Sequence, residues 1–412
     1  MPPATPAVPA APPLGSSASA SARVAAVLFA VAWGTNHFVP LLPLYRTTLG
    51  LSPTHLAQMF GIYAVGLVPG LLLGGPLSDR IGRRQLVVPA ALVALGGTVI
   101  LGAGAPVFSR LLLGRFVVGV GSGATFSAAT AWVQDLAALT AARGAGARRA
   151  ATALSAGFGG GPLVASLLAQ WLPWPLILPY VVQAIVLLLA IAQAATLASP
   201  PRRVASAPTP AIQTPRPSFV PRGFVRQLIP VAPWVFGFPS ISFAVLPSTV
   251  AAQVGGFSVL FAGLVTATTL FSGLVMQGPL RARSSQTAGR FGLASGVVGL
   301  AIATLAVRFH APAAVLLAAM TLGAGYGGCL VAGLRFVETH TPDAARGRVT
   351  GFFYVLAYLG FAAPLILAAL AQRHGIVTAV IGGGLLAAFS LLLRCLDRHG
   401  DEAGDVAEPP AS

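Results

Sequence analysis

Twelve apolar segments follow one another between residues 24 and 395, and that succession leaves few folds open. They lie near 24–44, 57–75, 86–104, 109–131, 151–172, 175–197, 228–251, 257–279, 289–308, 312–334, 349–371 and 375–395. Each approaches the ~20 apolar residues that a helix needs to cross the hydrocarbon of a bilayer. In lipid every backbone polar group must be paired within its segment or a closed sheet, so each segment is expected to be a helix. With 56% hydrophobic and 8% charged residues, the chain has too little polar surface for a water-soluble globule. The expected class is an all-α polytopic membrane protein with twelve transmembrane helices.

All 25 basic residues are arginine, and their placement orients the chain. Twenty fall in alternate loops or flanking segments, whereas Arg46, Arg110, Arg308 and Arg373 lie at the opposite ends and Arg115 lies within a segment. The positive-inside rule then places both termini in the cytoplasm. Arginines spread over short juxtamembrane loops do not form one basic face, so nucleic acid is not an expected partner. Residues 1–22 and 198–226, rich in Pro, Ala and Ser or Arg, read as a disordered cytoplasmic tail and a flexible linker. They bound an N-terminal bundle at 23–197 and a C-terminal bundle at 227–397, with a second tail at 398–412. Cys329 and Cys395 read as core residues, not as a disulfide or a metal pair.

The linker divides the segments six and six, and the halves repeat. "GPLSDR" at Gly75–Arg80 returns as "GPLRAR" at Gly278–Arg283. Gly119, Gly121 and Gly123 return as Gly323, Gly325 and Gly327, and "AARG" at Ala141–Gly144 returns at Ala344–Gly347. Asp135 answers Glu338, and "PLVASLLAQ" from Pro162 answers "PLILAALAQ" from Pro364. Five matches in order, at offsets of 202 to 204, mark a duplicated six-helix unit. Parallel repeats with a site at their interface are a transporter architecture.

On these features the chain resembles the major facilitator superfamily over about residues 23 to 397. The turn between helices 2 and 3 matches that family's G-x-L-[AS]-D-R-x-G-R-[RK] signature through Gly75, Leu77, Asp79, Arg80, Gly82, Arg83 and Arg84. The resemblance implies two pseudo-symmetric six-helix bundles around a central site, with helices 1, 4, 7 and 10 lining the cavity. It also implies that Asp79, with Arg80, Arg83, Arg84, Asp135, Glu338 and Arg346, forms a cytoplasmic gate latch. The unpaired amides at the start of helix 11 offer Asp79 a partner of opposite sign. Asp79 becomes Ala282 in the second repeat, so the latch is expected to be one-sided.

Gly157, Gly161 and Pro162 match G-x-x-x-G-P in the family's antiporter signature, but Ala165 and Ser166 stand where two glycines are expected. A proline kink with glycine packing reads the same residues structurally. Gly66, Gly70 and Gly74 form a small-residue stripe for close helix packing. Arg115 resembles the family's helix 4 arginine, implicated in proton coupling; a clamp on backbone carbonyls is the alternative. With Gly119, Ser122 and Phe126 it shares one helix face. His37, next to Asn36, lies at a similar depth and is read either as a coupling or substrate group or as a histidine satisfied on Thr35 or a carbonyl. Trp234, Phe238 and Tyr326 complete the expected lining, with Tyr63, Thr269 and Tyr358 as further candidates.

None of the nine acidic residues lies mid-membrane, which favours a neutral or anionic substrate. No phosphate-cradling loop, paired-aspartate motif or His/Cys/Asp cluster is present, so no catalytic residue, metal or bound cofactor is expected. The expectation is a monomeric secondary transporter of the plasma (inner) membrane, not an enzyme, exporting a small amphipathic molecule against protons. Uptake of a small organic anion or sugar-like solute with protons is second, and a transport-inactive sensor or scaffold is third.

Overall fold

A computed structural model describes residues 14–104, 107–138, 145–197 and 223–396, with side chains for all of these except 14–17 and 343–348. Eleven helices among the described residues are long and apolar enough to span a bilayer. They are α1 (Ala18–Leu49), α2 (Pro53–Ile81), α3 (Arg83–Gly104), α4 (Phe108–Ala137), α5 (Ala145–Trp171) and α6 (Leu178–Ala195). After the linker a shorter α7 (Trp234–Thr249) is followed by α8 (Ala251–Leu280), α9 (Ser285–Arg308), α10 (Pro312–His340), α11 (Val349–His374) and α12 (Ile376–Leu396). The twelve expected segments are therefore all helical, and the seventh is short. Pro233 precedes it, Pro239 lies inside it, and Pro247 follows its break at Val245. A proline inside a helix removes one donor and crowds the preceding turn.

Two boundaries differ from expectation. Regular helix begins at Leu14, inside the segment read as a tail, and Phe224–Leu228 forms a short helix inside the segment read as a linker. Residues 1–13, 198–222 and 397–412 of the expected tails and linker lie outside the described residues.

Local chemistry sets the helix ends. Ser52 and His55 form a reciprocal capping box with Pro53 at the first turn of α2. Gly82 closes the α2–α3 turn at φ 109°, a conformation that a residue with a Cβ rarely adopts. Ser284 caps α9 by accepting from Thr287 N at 3.1 Å.

Within each bundle the glycine series let backbones touch. A Cβ on Gly70 would lie 2.6 Å from the Val120 carbonyl oxygen, and one on Gly74 2.9 Å from Ala124. Gly119 and Gly123 meet α2 in return, and the duplicate Gly323 and Gly327 meet α8 at Thr269 and Gly273. The Gly66, Gly70 and Gly74 stripe thus packs against α4 of its own bundle. The bundles meet through α5 against α8 and through α2 against α11, while side chains such as Val65, Leu73, Leu188 and Leu385 stay exposed on the perimeter. Large apolar side chains exposed around a helical perimeter fit a lipid surroundings. The end carrying the α2–α3 turn is called the arginine-rich end below, and the other the arginine-poor end.

Candidate functional site between the bundles

The site starts from a break in α1. Regular helix stops at Asn36, a 3-10 turn runs Val39–Leu41, and helix resumes at Leu42–Leu49. Pro40 and Pro43 cannot donate to the preceding turn. Beside this break Arg115 Nη1 donates to the Thr35 carbonyl at 2.9 Å, and its Nε donates to the Met59 carbonyl at 3.1 Å. The guanidinium lies between two aromatic rings, 3.7 Å from the Phe38 centroid and 4.4 Å from that of Tyr63. It is 1% exposed, and no carboxylate reaches it among the described residues. An ionised group at this depth needs such compensation. Arg115 therefore ties α1, α2 and α4 together as the carbonyl clamp.

Tyr63 passes this contact to the other bundle. Its hydroxyl lies beside those of Ser122 and Thr35, and its ring meets Phe361 of α11 edge-on at 6.1 Å. Phe361 sits in a 3-10 turn, Leu359–Ala362, just before Pro364. It stacks on Phe236 at 5.0 Å, and Phe236 stacks on Tyr358 at 4.6 Å. Phe60 faces Phe243 at 5.9 Å. These rings form an aromatic layer across the mid-depth of the bundle interface. Above it, at the arginine-poor end, lies a vestibule of about 530 Å³ with Phe60 and Phe243 in its lining.

Several expected lining residues sit elsewhere. His37 is fully buried against α6, edge-on to Tyr180 at 4.6 Å, with Nδ1 3.0 Å from the Gly34 carbonyl and Nε2 without a hydrogen-bond partner. The Tyr45 and Tyr180 hydroxyls pair beside it. Trp234 turns toward α12, donating from Nε1 to Ser390 Oγ at 3.0 Å. Phe238 fills a hole lined by Gly296 and Gly325. Neither Trp234 nor Phe238 lines the central space, because the α7 backbone presents both to the interior of its own bundle. Thr269 is likewise internal, with its hydroxyl 2.7 Å from that of Ser242. Asn36 is half-buried at the break, and Tyr326 is half-buried against Gly273. Tyr45 and Tyr180 were missed by sequence reasoning, since single tyrosines in apolar segments carry no periodic signal. Pro40, Pro43 and Pro364 were the signal for the breaks.

A model of the Major Facilitator Superfamily matches residues 24–363. The chain belongs to that superfamily. Among curated relatives, the Multidrug resistance protein MdtL of Klebsiella pneumoniae (strain 342) is 29% identical over 102 residues, covering 25% of this chain and 26% of the relative. The Bacillibactin exporter of Bacillus subtilis (strain 168) is 28% identical over 143 residues, covering 34% of this chain and 36% of the relative. The chain thus spans only 26% and 36% of the length of these relatives. The crystal structure of a D-xylose-proton symporter superposes with a TM-score of 0.71 at 16% identity, covering 93% of this chain and 97% of that one. That likeness is one of fold.

The superfamily's signature loop has a definite geometry here. Arg83 pairs with Asp79 at 2.6 Å and with Asp135 at 3.1 Å, and donates to Ser78 Oγ at 2.5 Å. Arg84 donates to the Leu197 carbonyl at 3.3 Å, and Gly75 lies against Ser127. These bonds tie α2, α3, α4 and α6 within one bundle. Asp79 is 63% exposed, and Glu338 pairs with Arg335 on its own helix at 3.8 Å. The described contacts of Asp79 thus stay in its own bundle, and the expected latch to α11 is not among them. The side chain of Arg346 lies outside the described residues.

The α5 motif joins the bundles. Gly157 and Gly161 pack on α1 at Phe29 and Trp33, and Gly159 meets the Phe271 ring of α8. Where the superfamily pattern has a glycine, Ser166 faces Gly263 of α8. The small residue has moved across the interface, so close approach is kept despite the departure. Pro162 is buried inside a continuous helix.

Proposed function

We propose that this chain is a secondary active transporter that exports a small amphipathic neutral or anionic molecule in exchange for protons, by rocking one bundle against the other. The observation that carries the reading is the aromatic layer. The bundles meet at mid-depth through the rings of Phe60 and Tyr63 on one side and Phe243 and Phe361 on the other, with no ion pair at that depth among the described residues, below a vestibule walled by both bundles. Ring contacts can separate and re-form without stranding a charge in the membrane. The arginine-rich end is cytoplasmic in this reading, by the positive-inside rule. The exporter names of the partial relatives support outward transport, and their bacterial sources support the inner membrane. Coupling is assigned to the cluster around Arg115, beside which His37 Nε2 is buried without a hydrogen-bond partner among the described residues. A monomer is sufficient, since both walls of the vestibule come from one chain.

The basic mouth of the vestibule favours a second reading, uptake of a small organic anion. Flux of a panel of amphipathic compounds into inverted vesicles, with and without a pH gradient, decides between them. Export predicts uphill accumulation that collapses when the gradient is dissipated. Gradient-driven depletion would support uptake, and no gradient-dependent flux with any compound would overturn both.

A further inference from the structure

We infer that the vestibule at the arginine-poor end is a binding site for an amphipathic organic anion, an apolar body with one carboxylate or sulfonate held by Arg46 and Arg308. The inference narrows the substrate class of the proposed transporter and takes its biological meaning from that reading. A volume of about 530 Å³ falls within the range of small-molecule sites, roughly 300–1,000 Å³. Leu42 and Phe60 from one bundle and Phe243, Val307 and Val377 from the other supply apolar walls. The walls include repeat-related helix breaks, with Pro43 of α1 answered by Pro247 of α7 at an offset of 204. Interrupted segments at corresponding positions of two repeats are a pointer to a transporter's binding site.

Charge then selects the ligand. The charged lining consists of Arg46 and Arg308, with His310 beside them. The acidic residues among those described, Asp79, Asp135, Glu338 and Asp343, all lie at the arginine-rich end. Arg46 therefore has no carboxylate or hydrogen-bond partner among the described residues, and Arg308 has only the Phe309 ring at 5.9 Å. Two guanidinium groups over low-dielectric walls, with no counter-ion among the described residues, attract an organic oxyanion that accepts bidentate bonds. His310 adopts a left-handed φ of 51°, rare outside glycine, with Nδ1 3.4 Å from the Thr249 carbonyl. This contact holds the α9–α10 turn over the mouth.

Binding rather than flux tests the site, so its failure is separable from failure of the transport reading. The full-length protein in phosphatidylcholine nanodiscs exposes both faces, which also removes any dependence on orientation. Calorimetric titration is expected to show 2-naphthalenesulfonate binding at least ~10-fold tighter than the neutral 2-naphthalenemethanol, as hydrogen bonds to a charged group imply. Arg46→Gln combined with Arg308→Gln should abolish that preference without changing the neutral compound's affinity. Ser248, exposed in the lining, reports position. In a Ser248→Cys, Cys395→Ser protein, the sulfonate should slow modification by N-ethylmaleimide. Equal affinity for the two probes, a preference that survives the double substitution, or no protection at position 248 would overturn the proposal. Protection by phosphatidylglycerol nanodiscs without sulfonate would also overturn it, by making a lipid headgroup the occupant.

Discussion

Arg115 shows how a single ionised residue can be retained in a membrane without an acidic partner. Its charge is spread over two carbonyl oxygens and two ring faces. A lysine offers one compact ammonium and cannot bridge both carbonyls while lying flat between rings. Arg115→Met should therefore lower stability by roughly 2–4 kcal/mol, the cost of losing two charge-assisted bonds and stranding the carbonyl groups. Thermal unfolding of the purified protein reads this directly, and Arg115→Lys should recover only part of the loss. An unchanged melting temperature in the Met variant would remove the clamp from the account. The existence and depth of this residue were legible in the sequence, because a charge inside an apolar run stands out. Its partners were not, since the carbonyl at Thr35 becomes available only through the break in α1. His37 was legible in the same way, but its turn toward Tyr180 follows from the same break.

At the scale of the helix, close approach is decided position by position. Along α5, a Cβ on Gly161 would fall 2.6 Å from Trp33 Cδ1 and 2.9 Å from its Cα, whereas Gly160 has nothing within 4 Å. Gly161→Val should consequently give a protein that fails to accumulate in the membrane or melts well below the wild type. Gly160→Val should be tolerated, and membrane abundance with melting temperature measures both. Equal behaviour of the two variants would show that α5 does not pack on α1 as described. The twelve helices were legible because lipid leaves a long apolar segment few alternatives to helix. The rotation of each helix was less so. Trp234 and Phe238 looked like cavity residues on an apolar span, yet Gly296 and Gly325 open a hole that only a large ring fills. The signal for Phe238 is the pairing of a bulky ring with glycines on neighbouring helices, Gly296 of α9 and Gly325 of α10.

For the whole molecule, the duplication in sequence gives the bundle interface two matching contacts, the arrangement that the proposed rocking requires. The repeat makes α5 against α8 and α2 against α11 equivalent contacts, and each runs along its helices, from Gly159–Phe271 to Ser166–Gly263 in the first and from Leu72–Gly351 through Tyr63–Phe361 to Thr54–Gln372 in the second. At the arginine-poor end they are fastened by neutral hydrogen bonds. Gln372 donates to Thr54 Oγ1 at 2.9 Å, and Gln170 donates to the Gly256 carbonyl at 2.8 Å. At the arginine-rich end the described ion pairs stay within a bundle or within a helix. Such fastenings are weak enough to exchange, each worth about 0.5–1.5 kcal/mol. In the proposed mechanism the two ends open alternately about the aromatic layer. Spin labels at Thr47 and Phe309 would report the arginine-poor end, and labels at Asp79 and Arg281 the arginine-rich end. Electron–electron distance distributions at two pH values should shift in opposite directions at the two ends. Distances that widen or narrow together, or that do not respond at all, would contradict alternating access in this chain.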